Sequence, residues 1–297
     1  MKTKPLLSVI CVSMNHEKFI ERSFTSLINQ TFRDFEILYV DNNSGDNSFE
    51  IADNLFKNSE ISYKGFRRVE NYSLSANVNF LLQLAQGEYI AALSGDDFLE
   101  LTNFEEKMNY YSKHPEFGMI YGTGYKYYYD TGETELMDSS KCKSGWIFKD
   151  LLSGNFINAI GFIVKKATLD DVGHFDENSL IEDWDLWIRI AEKYPIGFFN
   201  KPLIYYGRTG SNISDDITYM DKGADYIFEK YGHHDQMNEA KKNYKLYRVY
   251  QYASENPSWK NFKFIIKNFQ FNVAYFKQVF KFCINSLGFK KHIKNNQ

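Results

Sequence analysis

Cysteine and proline are scarce in this chain. The three cysteines, Cys11, Cys142 and Cys283, are odd in number and far apart. That spacing excludes a disulfide framework and a zinc-ligand pattern, and it predicts a reducing, cytoplasmic setting. With 5 prolines in 297 residues there is no proline-rich linker. No run reaches the roughly 18 uncharged apolar residues of a membrane-spanning helix. Met1 to Pro5 leads straight into a strand-like segment, without the apolar region and cleavage site of a signal peptide. Arginine is rare as well: of 35 basic residues, 28 are Lys and 7 are Arg. Bidentate clamping of phosphate is therefore open at few places, among them Arg67, Arg68 and Arg208.

Aromatic residues, by contrast, are abundant: 26 Phe, 22 Tyr and 4 Trp, enough for a sizeable core. Hydrophobic residues at 43% and charged residues at 25% exclude a disordered or collagen-like chain. The net charge of −3 argues against general nucleic-acid binding. Its distribution is uneven. Residues 256–297 hold 8 Lys and no Asp or Glu, leaving 27 basic and 38 acidic residues in the rest. A basic, aromatic tail on an acidic body suggests a surface of its own to meet.

The first half alternates between strand and helix signals. Leu7–Val12, Phe35–Val40 and Tyr89–Leu93 are short apolar runs that read as buried parallel strands, and Ile61–Val69 is a fainter one. Lys18–Asn29, Asn47–Phe56 and Ser75–Ala85 have helical spacing. The β-α-β-α-β-α-β order predicts an α/β fold, an open and mostly parallel sheet flanked by helices. Such sheets bind ligands beyond the carboxyl ends of their strands, where Asp41, Asp96 and Asp97 all fall. Further on, Leu101–Lys113 reads as a helix, Gly118–Tyr129 and Glu133–Met137 as a hairpin, and Ala159–Val164 as a strand. Asp183–Lys193 reads as a helix and Pro202–Arg208 as the last strand. After residue 214 the pattern is helical. The predicted division is therefore a catalytic-type α/β domain over 1–214 and a helical region over 215–297.

Three acidic sites draw attention. The Asp96-Asp97 pair on a turn offers hard oxygen ligands to Mg²⁺ or Mn²⁺, with phosphate oxygens completing the shell; read alone it is a polar turn capping the next helix. Asp41 is by itself a turn residue. In a nucleotide-binding sheet its carboxylate could accept from a base N–H. Glu182-Asp183-Trp184-Asp185-Leu186-Trp187 sets three carboxylates among two indoles at a helix start. Capping and the helix dipole account for one of them; a carboxylate desolvated by aromatic rings becomes a better base. His233 and His234 read as solvated residues, and the other histidines, isolated in the sequence, are assigned no role.

With these residues in view, the chain resembles glycosyltransferase family 2 of the GT-A fold. The segment LSVICVSMNHEKFIERSFTSLINQTFRDFEILYVDNNSGDNS is similar to that family's nucleotide-binding start. SANVNFLLQLAQGEYIAALSGDD resembles its approach to the metal motif, IEDWDLWIRIA its acceptor-side acidic motif, and LIYYGRTGSNIS its closing segment. The match spans residues 5–214 with all four in order. The resemblance implies inverting transfer of a sugar from a nucleotide diphosphate donor, a UDP-sugar, to a saccharide or lipid-linked saccharide in bacterial surface polysaccharide synthesis. It implies Ser13, Asn15, Asp41, Asn79 and Asp96 at the donor, a divalent Mg²⁺ or Mn²⁺ on Asp96 and Asp97, and Asp183 as catalytic base. Glu182 and Trp184 would shape the acceptor or sugar pocket. The chain departs from the family pattern at Ser94, Val78 and Thr209, where many members carry an Asp, an Arg and a His.

In the tail, Phe262, Ile266, Phe269, Val273, Phe276, Phe280, Cys283 and Leu287 repeat at intervals of 4 and 3, one face of a long helix. That stripe predicts burial by protein, within the chain or in a homodimer. Lys290, Lys291 and Lys294 could touch the inner face of the bacterial cytoplasmic membrane. Two other functions fit parts of the pattern. A sugar-phosphate nucleotidyltransferase would need a Gly-rich N-terminal loop with a basic residue, which SVICVSMNHEK lacks. A catalytically inactive nucleotide-sugar or glycan-binding module is opposed by Asp96, Asp97 and Asp183, and favoured by Ser94 and Thr209.

Overall fold

The computed structural model describes residues 4–254. The elements up to the centre of the sheet are β1 (Leu7–Ser13), α1 (Ile20–Ile28), β2 (Phe35–Asp41), α2 (Ser48–Lys57), β3 (Ser62–Arg67), α3 (Leu74–Leu82) and β4 (Tyr89–Ser94). Then come β5 (Phe98–Leu99), α4 (Asn103–Lys113), β6 (Met119–Tyr128), β7 (Thr134–Leu136), α5 (Phe148–Ser153), β8 (Ile163–Lys165), α6 (Lys166–Val172), α7 (Glu182–Lys193) and β9 (Ile196–Arg208), followed by α8 (Ile217–Lys230) and α9 (Gln236–Ser254).

The strands join in the order β3-β2-β1-β4-β8-β6-β9-β5, with β7 hydrogen-bonded to β6. From β3 to β4 the sheet is parallel. Beyond β4 it is mixed, because β8 runs antiparallel to both β4 and β6. The parallel expectation thus describes one half of the sheet. Two reversals restore the original direction, so β6 and the parallel β9 beside it point the same way as β4. Ser13, Asp41, Ser94, Tyr128 and Arg208 therefore all end at one edge.

Burial explains why these runs became strands. Every residue of β2 is buried, including Glu36, whose Oε1 accepts from Ser8 Oγ at 2.7 Å and from Gln86 N at 2.7 Å. At the sheet margin β3 is alternately exposed, and its Lys64 and Arg67 suit an edge strand. α1 buries Ile20, Phe24 and Leu27. The Phe24 ring lies 4.6 Å from Phe56 of α2 and 5.4 Å from Tyr39 of β2. Burying such a side chain is worth about 1.5–3 kcal/mol. Ser73 caps α3 by accepting Ala76 N at 3.1 Å, worth about 1 kcal/mol.

The chain divides into two compact units. The first runs up to Leu151 and includes Asn155–Glu229; the second holds Leu152–Gly154 and the helical stretch after Glu229. This division falls later than residue 214, since α8 packs within the first unit: Tyr226 OH donates to Asp176 Oδ2 at 2.7 Å and Phe228 meets the edge of Trp184 at 6.0 Å. After residue 214 the described residues form α8 and α9. The apolar stripe from Phe262 to Leu287 and the lysines after it lie outside the described residues.

Candidate active site

The loops that leave β1 and β2 are stitched together. Ser13 Oγ lies 2.8 Å from Tyr39 OH and donates to Asp41 Oδ2 at 3.2 Å. The Asp41 carboxylate also accepts Ser44 N at 2.8 Å and Ser44 Oγ at 2.5 Å. Across the gap, Asn15 N donates to Ser44 Oγ, Gly45 N to Asn15 Oδ1, and His16 N to Ser48 Oγ, at 2.8–2.9 Å. Asn15 and Asn43 take left-handed backbone angles, φ 55° and 61°, a conformation Asn tolerates better than most side chains. Asp41, expected to face a donor base, is fully buried and spends both carboxylate oxygens on shaping this loop. Met14 is exposed beside it, its sulfur 3.7 Å from Asn42 Nδ2.

The second cluster follows β4. Ser94 Oγ donates to Asp96 Oδ1 at 2.5 Å. Asp96 retains 14% side-chain exposure and has His16 Nδ1 at 3.9 Å; that nitrogen is buried without a hydrogen-bond partner. The approach requires Gly95, because a Cβ there would sit 2.8 Å from His16 Nδ1 and 3.0 Å from Ser13 Cβ. Asp97 points the other way. It is 2% exposed, its Oδ1 accepts Gly207 N at 2.8 Å, and burial, with the neighbouring Asp96 charge, pushes its carboxyl well above the usual range. So Asp97, expected beside Asp96 on a cation, is directed into the protein, where ionisation is disfavoured.

No group of three or more His, Cys, Asp or Glu side chains that could hold a metal ion occurs among the described residues. A caged site is thus not built here. One outward carboxylate at a strand end does suit Mg²⁺ or Mn²⁺, which take one or two protein carboxylates and fill the remainder with water and phosphate. The donor set fits such an ion, and His16 Nδ1, buried without a hydrogen-bond partner, lies 3.9 Å from the same carboxylate.

The third cluster opens α7. Asp183 Oδ1 accepts Trp184 N at 2.7 Å, and Oδ2 accepts Asn155 Nδ2 at 3.1 Å. Burial raises the Asp183 carboxyl to about 6, against those two hydrogen bonds. Glu182 is raised also, by burial first and the Asp183 charge second. Trp184, expected in a sugar pocket, is 4% exposed, and its indole N–H donates to Leu151 O at 2.8 Å. It fixes α7 in the core. Asp185 is buried and receives Arg189 Nε at 2.9 Å. The rest of that guanidinium holds the carbonyls of Val172, Gly173 and His174 at 2.6–2.8 Å. Asn79, expected at the donor, also grips this connection: its amide exchanges bonds with Phe175 N at 3.0 Å and Phe175 O at 2.9 Å. Asn155 and His16 had not stood out in the sequence. Asn155 lies 28 positions from Asp183 with nothing linking the two, and His16 carried no metal-ligand spacing.

A family model described as glycosyl transferase family 2 matches residues 8–172, more than half of the chain. An O-antigen biosynthesis glycosyltransferase of Escherichia coli is 30% identical over 200 residues, covering 64% of this chain and 73% of the relative. A GalNAc(5)-diNAcBac-PP-undecaprenol beta-1,3-glucosyltransferase of Campylobacter jejuni is 30% identical over 194 residues, covering 64% of this chain and 60% of the relative. Among solved structures, S. aureus TarS 1-349 in complex with UDP-GlcNAc superposes with a TM-score of 0.61 at 18% identity, over 94% of this chain and 81% of that one. At that identity the superposition speaks for the fold, which is GT-A.

Proposed function

Because the chain belongs to glycosyltransferase family 2, we propose that it transfers a sugar with inversion from a UDP-sugar to a hydroxyl of a saccharide or lipid-linked saccharide in bacterial surface polysaccharide synthesis. The observation that carries the reading is Asp183, a carboxylate raised toward neutrality by burial and held at both oxygens. A general base works best with a pKa near the operating pH. Asp183 accepts the acceptor hydroxyl's proton as the new bond forms, and the shared Trp184 N–H and Asn155 amide bonds stabilise its charged form beforehand. Glu182, beside it, lines the acceptor side. The Ser13–Asn15 loop, shaped by Asp41, receives the nucleoside. Asp96 would hold Mg²⁺ or Mn²⁺, which when bound supplies Lewis-acid charge to the departing diphosphate; Asp97 keeps the turn in place beneath it. In this reading Asn79 and Trp184 serve by fixing the elements around the substrates.

Two relatives support the acceptor class: the names of both concern glycan synthesis, one of them on a polyprenyl diphosphate. The UDP-GlcNAc complex of TarS supports the donor. No helix among the described residues is long and apolar enough to cross a membrane. We place the chain in the cytoplasm, with the basic tail reaching the membrane face or a second copy. The test is a thermal-shift screen of nucleotide sugars with Mn²⁺ and with EDTA, since a bound ligand raises apparent stability by mass action. A UDP-sugar should raise it most, and only with the metal. A GDP- or CMP-sugar winning the screen would replace the donor assignment.

A further inference from the structure

Asn155 opens the segment that leads into β8. Its two amide ends have different tasks. Oδ1 accepts Ile157 N at 3.0 Å, a local turn that needs only the oxygen. That bond settles which end faces outward, and Nδ2 then donates to Asp183 Oδ2 at 3.1 Å. The segment itself is anchored. Ile157 and Ile160 are buried. The Gly161 carbonyl accepts Lys107 Nζ from α4 at 2.7 Å, and the Phe162 ring meets Trp187 of α7 at 4.9 Å. Asn155 itself is exposed, and its amide is oriented by the Ile157 turn and by the anchored segment that follows, so that its donor faces the carboxylate. The turn with Ile157 explains the amide oxygen and leaves the bond to Asp183 unexplained.

We propose that Asn155 is a positioning residue: it holds the Asp183 carboxylate in one orientation and stabilises its charged form through Nδ2, while Trp184 N fixes the other oxygen. This rests on Asp183 being the base. The bond is charge-assisted once Asp183 has ionised, and such bonds are about twice as strong as neutral ones. Its worth should therefore grow with pH. The other titratable groups around it are Glu182, next in the chain, and Tyr219 of α8, whose phenol is raised by burial and by the Glu182 charge. Neither contacts the Asn155 amide.

The test is a double-mutant cycle on the full chain without ligand, read as melting temperature at pH 5 and pH 8. Asn155→Ala should lower the melting temperature by roughly 2–4 °C at pH 8 and by less than half as much at pH 5, where Asp183 is protonated. Asn155→Asp keeps the shape and lacks the donor, so its loss at pH 8 should be the larger. Asn155→Ser, a shorter donor, should recover part of the coupling and serves if the others fold poorly. In an Asp183→Asn background the costs of Asn155→Ala and Asn155→Ser, which add no titrating group, should become independent of pH. Costs that are equal at both pH values, or that keep their pH dependence without Asp183, overturn the assignment. Sugar transfer by Asp183→Asn separates the two readings. If transfer survives, Asp183 is not the base and Asn155 falls with it. If transfer is lost while the cycle stays flat with pH, only the Asn155 assignment falls.

Discussion

The backbone N–H of Gly207 donates to the buried carboxyl of Asp97 at 2.8 Å, tying strand β9 to the turn that carries Asp96. A Cβ on Gly207 would lie 2.0 Å from the Asp96 carbonyl oxygen; no side chain fits there. That same carbonyl accepts Tyr129 OH at 3.1 Å. The orientation of Asp96 is thus set from behind, by a neighbour that points into the protein.

Asp97→Asn should therefore fold nearly as well as the parent chain, because an amide oxygen can accept from Gly207 as the carboxyl oxygen does, without the cost of a buried charge. Asp97→Ala leaves that N–H buried and unpaired, at a cost of about 1–3 kcal/mol. Chemical denaturation of both variants at pH 7 checks this, and equal stability of the two would show the bond to be idle.

Asp96→Ala should fold and lose the metal-dependent part of nucleotide binding, since its carboxylate is the one turned outward. Calorimetry of UDP binding in Mn²⁺ and in EDTA reads this directly. If the parent chain binds UDP equally in both, the cation has no part in donor recognition.

Asp183→Asn should reduce turnover by about 10²–10⁴-fold with donor affinity little changed. The pH dependence has a definite sign. With its carboxyl raised to about 6, Asp183 is protonated below that pH and cannot take a proton, so activity rises with pH through this window. Stability moves oppositely: the folded chain holds this proton more tightly than the unfolded one, so the contribution shrinks as pH climbs from about 4 to above 6. A rate profile without an acid limb near 6 would assign the base to another group.

Lys107 is fully buried, with Nζ on Gly161 O at 2.7 Å and Asn103 Oδ1 at 3.3 Å, and desolvation lowers its pKa to about 7. Between about 7 and 10.5 the folded chain binds fewer protons than the unfolded one, so this residue makes stability rise with pH there. The full penalty below pH 7 is of the order of 3–5 kcal/mol. Lys107→Met leaves Gly161 O without that donor but removes the slope. The variant should compare more favourably with the parent at pH 6 than at pH 9.5, and parallel stability curves would contradict a neutral buried lysine.

Much of the frame was legible in the sequence because buried parallel strands leave continuous apolar runs: β1, β2 and β4 are found within a residue of their expected ends. β9 is longer than expected. Its first half is masked by Asn200, Lys201 and Pro202, and the ladder with β6 shifts register there. β5, two residues long, has no period to detect. The acidic residues of the candidate site could be named from the sequence, but not their directions. Asp96 and Asp97 are adjacent in sequence and point apart. Trp184 follows Asp183 on α7, and a helix turns each successive residue to a new face, so the indole enters the core. Side-chain partners distant along the chain, such as Asn155 with Asp183, leave no periodic trace at all.

The stitching of Ser13–Glu17 to Asp41–Ser48 makes the two loops interdependent. Ser44 serves Asn15 and Asp41 together, Ser48 holds His16, and Asp46 holds Glu17. A change in either loop leaves polar groups in the other without partners. The two loops form one polar unit, so a graft between relatives that replaces either segment has to carry both at once.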